Sequence, residues 1–527
     1  MNTIRNLIAA RTMISALVVA LCVIGLSNIA AWSASEKDPA SVILSNLPSK
    51  QSADYKTLRD LAGAARIQDI DMMQSEKWSI PPERLDAFLK VAAEKGVRVS
   101  RLDENSNWAL VPMAESEAMS PKQKDMMKKA MQSKAAMGAS MMKSPAPDVL
   151  DYTLTKDVDE EHPDAPPTLV IPLKDKTVVT VSRTSVTKTP YGYEWHGVVE
   201  GTGDPVTLLC WPGGRLAGTI NYQGHTYVVK YMGGQMHAIV EFAPDKLPPE
   251  HGPAGNDKMQ KMNMREDPLV RQGDASMMKP NTGPVPSMKM KPQDLAAAPE
   301  ESTITLIVAY TKNAANNYFD IEKDLIELAI AEANQSFRAS GIDNVRTNVV
   351  HAYETDYEES GSHFDHVYRF RDKGDGFMDE VHTLRDRYGA DVGILIVDDP
   401  MGCGLSIRIA ADEEDAFAAL HHECGATMYT LAHEIGHLIG ARHDRALDDS
   451  PQPFTYGRGF VKGTDWRTMM SYKDSCDGCE RRPVWSSPDV KVEGVAAGDK
   501  NTDNARVIKE QARRVSRFRS STERADR

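Results

Sequence analysis

The pattern of apolar and polar positions changes several times along the chain. A continuous apolar run from Met13 to Leu26 follows Arg5 and Arg11 and is succeeded by small residues at Ala30, Ala31, Ser33 and Ala34. A basic start, a short apolar core and a small-residue exit predict an export signal cut between about Ala31 and Ser35. Trp32 and the lack of a clean A-x-A keep an uncleaved anchor or a buried helix as the alternative. Beyond Ser79, "SIPPERLDAFLKVAAEKGVRVSRL" predicts a helix with proline near its start and Gly96 at its end, then a short alternating strand. Met113 to Met142 is rich in Met and Lys, and is expected to be helical or without regular structure. From Tyr152 to Ala243, "TLVIPL", "TVVTVSRTSV", "YEWHGVVEG", "VTLLCWPGG", "RLAGTINYQGHTYVVKY" and "HAIVEFA" read as strands separated by turn residues. They predict an antiparallel sheet or sandwich. Pro248 to Pro299 has no sustained period and reads as a linker.

A new pattern begins after the linker. "STITLIVAY" from Ser302 is a buried strand, Ile321 to Ser340 carries apolar residues at helical spacing, and "TNVVHAY" from Thr347 is a second strand. Asp379 to Tyr388 reads as a helix and "ADVGILIVDDP" from Ala390 as a third strand. Strands alternating with helices predict a mostly parallel sheet with helices packed on it.

Charge and cysteines narrow the class. Across 527 residues the net charge is -13, so no basic excess is available for nucleic-acid phosphates. Leaving out Cys22, four of the remaining five cysteines are Cys403, Cys424, Cys476 and Cys479, an even set that suits an oxidising compartment. Of three connectivities, Cys403 to Cys424 and Cys476 to Cys479 are expected. A four-thiolate zinc site is disfavoured because only one C-x-x-C is present. The fifth, Cys210, is either a small core residue or a thiolate able to block a metal.

The densest chemistry lies in "HEIGHLIGARHD", His433 to Asp444. Residues four apart share one helix face, so His433 and His437 can grip one ion, with Glu434 beside them as a proton acceptor. Gly440 permits a sharp exit from the helix, bringing His443 round as a third imidazole. Three neutral imidazoles favour one catalytic zinc ion with a position left open. His421, His422, His363 and His366 lack ligand spacing and read as structural or surface residues.

The motif H-E-x-x-H-x-x-G-x-x-H followed by Asp444 resembles the metzincin zinc signature in its reprolysin-like form, and "RTMMSY" resembles the Met-turn. With "IVDDPMGCGLS", "AFAALHHECGATMYTLAHEIGH", "YGRGF", "WSSPDV" and "NARVIKEQARRVSRF", the stretch from about Thr303 to Arg519 is similar to bacterial enzymes of the peptidyl-Asp metallopeptidase kind. The resemblance implies an α/β metzincin catalytic domain, a mostly parallel twisted sheet with an active-site helix and Met-turn, preceded by a mainly β propeptide domain. It places Met470 beneath the metal and leaves Tyr472 either a switchable ligand or a core tyrosine. Asp444 is expected to anchor the turn or orient a ligand. It further implies cleavage before Asp, for which Arg481, Arg482 and Lys473 are the candidate cations.

The expected organisation is a signal peptide at 1–34, a Met/Lys-rich pro-region at 35–150, a β-rich propeptide domain at 151–247, a linker at 248–300 and the catalytic domain at 301–527. The expected product is a secreted, monomeric endopeptidase acting on proteins or peptides, with no nucleic-acid partner and no stable membrane association. Its substrate would lie along an edge strand near Gly404 to Ile409. Two rivals are an exported copper-buffering protein, since fifteen of the 26 methionines crowd into Met113 to Met142 and Met259 to Met290, and a catalytically silent binding protein of the same fold.

Overall fold

The computed structural model describes residues 39–63, 67–70, 75–102, 108–110, 119–132, 135–156, 167–173, 177–243, 246–250, 301–361 and 363–519. The signal segment, nearly all of the linker and the methionines from Met259 to Met290 lie outside the described residues. Among the described residues no helix is long and apolar enough to cross a membrane.

The chain forms two compact units that divide at Ser106. In the first, strands β1 (Ala40–Ser45), β2 (Ile67–Ile70), β3 (Ser75–Ile80) and β4 (Arg98–Arg101) form an antiparallel sheet in the order β2-β3-β1-β4. Helices α1 (Ala53–Ala62) and α2 (Pro82–Glu94) accompany it. Proline at the first turn of α2 lacks only an amide that a helix start leaves unbonded. Leu85, Phe88 and Ala92 fall on one helix face and are buried in a core with Trp78 and Leu44.

The second unit opens with β5 (Ala109–Leu110), α3 (Pro121–Gln132), β6 (Ala136–Lys143) and α4 (Pro147–Thr155). Strands β7 (Thr168–Pro172), β8 (Val178–Thr189), β9 (Gly192–Val199), β10 (Pro205–Trp211), β11 (Arg215–Tyr222), β12 (His225–Gly233) and β13 (Met236–Phe242) follow. One nine-stranded sheet, β5-β6-β13-β12-β11-β10-β9-β8-β7, takes all of these strands with every pairing antiparallel. The end of the Met-rich stretch, from Ala136, is thus a sheet strand, paired to β13 from Met236 to Phe242. Met126, Met141 and Met142 are buried, with Met126 and Met141 packed near Met428 and the Cys403 and Cys424 side chains. Met126, Met141 and Met142 are therefore packing residues, whereas Met131 and Met137 are exposed.

The sheet of the C-terminal region runs β15-β14-β16-β18-β17, with β14 (Ser302–Tyr310), β15 (Val345–Glu354), β16 (Val392–Val397), β17 (Gly404–Ser406) and β18 (Phe417–His421). Its first four members are parallel and β17 joins β18 antiparallel, forming an edge; elsewhere in the molecule the sheets are mostly antiparallel. Helix α5 (Leu328–Ala339) is entered through a π-helical segment, Glu322–Glu327. Helices α6 (His363–Arg371) and α7 (Glu380–Tyr388) lie between β15 and β16; the first was not anticipated from periodicity. Helix α8 (Thr430–Ile439) carries the histidine motif, and α9 (Asn504–Val515) closes the domain.

The large sheet shares a core with this domain. Leu209, Trp211 and Ala217 pack in one cluster with Leu306, Leu328, Phe337 and Leu438. Polar groups cross the same boundary: Arg215 pairs with Asp324 at 2.6 Å, Arg338 with Glu194 at 2.7 Å, and Thr219 donates to Glu332. Burial pushes the Glu332 carboxyl up to about 7; Thr219 and Thr207 act against it, and Glu194 adds to the rise. A carboxyl raised on folding stabilises fully below its ordinary value near 4.5 and loses that contribution as pH climbs through about 7. Glu332→Gln, which mimics the protonated form, should therefore leave stability at pH 4 nearly unchanged. At pH 8 it should raise it by up to about 3 kcal/mol. Denaturant titrations of both proteins at the two pH values check this; equal differences at both would refute it.

Candidate metal centre

Helix α8 is buried along its whole length. Tyr429 precedes it in left-handed conformation, φ 53°, and Gly440 ends it at φ 136°. A side chain at Gly440 would be strained at that φ and would put Cβ 2.8 Å from Phe454, so glycine is needed on two counts. Gly436 serves a different end. A Cβ there would lie 2.5 Å from Trp485 and 3.2 Å from the Met470 sulfur, so its absence lets both side chains pack against the helix backbone. Met469 and Met470 are both fully buried.

The chain leaving Gly440 returns His443 to the helix. His433 Nε2 and His437 Nε2 lie 3.3 and 2.8 Å from His443 Nε2. On their other sides His433 Nδ1 meets the Met469 carbonyl at 3.1 Å and His437 Nδ1 meets the Ala441 carbonyl at 3.0 Å. A carbonyl only accepts, so each Nδ1 carries the proton and each Nε2 turns a lone pair inward. With the His443 ring nitrogen beside these two lone pairs, the donor set of three imidazoles fits a divalent zinc-like ion. The Tyr472 hydroxyl stands 2.9 Å from His443 Nε2 and 3.2 Å from His433 Nε2, within reach of the same point.

Asp444 binds the turn together. Its carboxylate accepts from the Tyr472 amide at 3.2 Å, the Ser475 hydroxyl at 2.8 Å and the Ala446 amide at 3.0 Å. Glu434 projects toward the edge strand β17, where the Ser406 hydroxyl donates to its Oε2 at 2.6 Å. A Cβ at Gly404 would be 2.4 Å from Glu434 Oε1, so this glycine lets the edge strand approach the carboxyl. Burial pushes Glu434 up to about 7, against the Ser406 hydrogen bond and the positive charge of Arg481.

Disulfides frame the site: Cys403 to Cys424 joins the start of β17 to the loop before α8, and Cys476 to Cys479 closes the turn after Tyr472. Cys210 is buried on β10 between Leu209 and Trp211, which face the shared core. Alternation along the strand turns its thiol to the other side, 3.3 Å from Asp151 in α4, and burial pushes its pKa up. Of the three candidate cations, Arg482 pairs with Asp204, Glu480 and Glu493, whereas Arg481 is buried behind the Met-turn. Arg467 lies beside Arg481 at the site and went unnoticed in the sequence, because nothing local distinguishes it. His421 and His422 meet Asp398 at 3.8 and 2.9 Å, and the Tyr318 hydroxyl contacts His422 at 3.0 Å. His366 stacks edge-on against Tyr357.

Comparison with known proteins shows the family. The model of metallo-peptidase family M12 in its reprolysin form matches residues 300–482, which marks the region as a metallopeptidase. The chain is 34% identical over 320 residues to a peptidyl-Asp metalloendopeptidase of Xanthomonas campestris, covering 60% of this chain and 71% of that protein. It is 32% identical over 376 residues to a peptidyl-Asp metalloendopeptidase of Stenotrophomonas maltophilia, covering 67% and 84%. A shorter protein of that name from Pseudomonas fragi matches over its full length at 32% identity, across 36% of this chain. The chain belongs to this family of reprolysin-like metalloendopeptidases.

Proposed function

We propose that the protein is an exported, zinc-dependent endopeptidase that cleaves peptide bonds before Asp. The observation that carries the zinc assignment is the convergence of three imidazole Nε2 atoms beside a buried glutamate and an edge strand. His433, His437 and His443 would hold the ion, which when bound supplies Lewis-acid activation of water and of the scissile carbonyl. Glu434 takes the proton of the attacking water and passes it to the leaving amine. Ser406 orients the Glu434 carboxyl, and Asp444 fixes the Tyr472 amide and hence the height of its ring over the histidines. The Tyr472 hydroxyl would donate to an oxyanion forming at the carbonyl.

A substrate is expected to extend along β17, adding main-chain hydrogen bonds at the open edge. Two disulfides in one domain support an oxidising compartment, and the basic-apolar start of the chain supports export. The preference for Asp is supported by the names of the relatives and by buried arginines beside the Met-turn. Mapping the cuts made in a denatured protein tests it: Asp should dominate the position after the cut, and a flat distribution would reject the preference.

A further inference from the structure

Glu250 is the last described residue before the catalytic region, and it is buried at the site. Its Oε1 lies 2.6 Å from Arg467 Nη2 and 3.1 Å from Arg481 Nη2, and its Oε2 accepts from the Lys473 amide at 3.2 Å. All three side chains of the cluster are at most 6% exposed. The arginines are themselves positioned from behind: Arg467 donates to the carbonyls of Ser471 and Cys479 at 2.6 and 3.0 Å, and Arg481 to that of Met428 at 2.7 Å. Ser471 and Lys473 flank Tyr472, so the cluster is bonded to the chain on either side of the tyrosine that reaches the histidines. The charge of Arg481 is felt at Glu434, and that of Glu250 at Tyr472.

We propose that Arg467 and Arg481 form the carboxylate-binding subsite of this peptidase, and that Glu250 fills it as an internal acidic competitor that keeps the intact chain latent. The idea rests on the endopeptidase reading above and gives its preference for Asp a physical basis. Two buried guanidinium groups sharing one carboxylate need that partner, because leaving them together without it would strand positive charge away from water. Burial alone would raise the Glu250 pKa, yet Arg481, Arg467 and the Lys473 amide hold it below the ordinary carboxylate range, so it is ionised as a substrate aspartate would be. The neighbouring residue is bonded to the cleft as well. The Cys403 amide, at the start of edge strand β17, donates to the Pro249 carbonyl at 2.8 Å. The segment thus holds both a side-chain subsite and an edge-strand amide that a bound substrate would use.

The test uses the full chain, with its integrity followed by mass spectrometry. Two fluorogenic peptides differ only in Asp or Asn after the scissile bond. Intact Glu250→Gln is expected to cleave the Asp peptide at least about tenfold faster than the intact unaltered chain, with a smaller gain on the Asn peptide. In parallel, N-acetyl-aspartic acid amide should raise the melting temperature of Glu250→Ala, whose subsite is vacated, and leave the unaltered chain unmoved. Unchanged rates together with no melting shift overturn the proposal; the melting curves also report whether each variant folds. The specificity reading is checked separately on processed enzyme. A preference for Asp that survives Arg481→Gln overturns the subsite and leaves the preference standing. A processed enzyme indifferent to Asp overturns the preference, while a melting shift in Glu250→Ala still upholds Glu250 as the occupant of a carboxylate site.

Discussion

Replacing Glu434 by Gln should reduce peptide cleavage by roughly 10²- to 10⁴-fold while leaving bound metal unchanged, since the range is that of a single positioned acid-base group. The separation is what the geometry provides. His433 and His437 are held by contacts with the Met469 and Ala441 carbonyls that do not involve Glu434, so losing its charge leaves the ligand set whole. Gln keeps the shape and can still accept from Ser406, but it cannot take a proton from water. Chelation should abolish the residual and the wild-type activity alike, and added zinc should restore the wild type. Metal analysis beside steady-state rates reads both parts. A Glu434→Gln protein that cleaves at a near-normal rate would remove Glu434 from the mechanism.

The intact precursor should in turn be at least about tenfold less active than processed enzyme, the low end of the cost of opening a buried charge cluster before substrate can enter. Cys210→Ser should leave that difference intact, because the thiol faces Asp151 on the side of the sheet away from the shared core. Cleavage within 251–300, which the sequence marks as a linker, is the expected route to the processed form. Full activity of an intact precursor would reject an inhibitory role for the preceding segment. Activation by Cys210→Ser alone would instead restore the thiol as the blocking group.

What the sequence discloses about the site follows from distance along the chain. His433, Glu434, His437, Gly440 and His443 fall within eleven residues, so helical spacing and one glycine are enough to bring them to a point. The strands from 168 to 242 were equally legible, since alternation and turn residues are local signals. By contrast Ser406 reaches Glu434 across 28 positions, and Glu250 reaches Arg467 across 217. Only the fold makes them neighbours. Strand β6 was hidden for another reason: methionine composition masked it, and its place in the sheet is fixed by pairing with β13 rather than by its own pattern.

The common core of the nine-stranded sheet and the C-terminal domain has a consequence for the protein's life history. Leu209, Trp211 and Ala217 are inside a cluster that also holds the helices around the histidines, so if processing removes the sheet, as proposed, the domain loses a surface on which its interior is completed. The preceding sheet would then serve assembly as well as latency, and a processed enzyme, once denatured, is expected to refold poorly because that surface is no longer there.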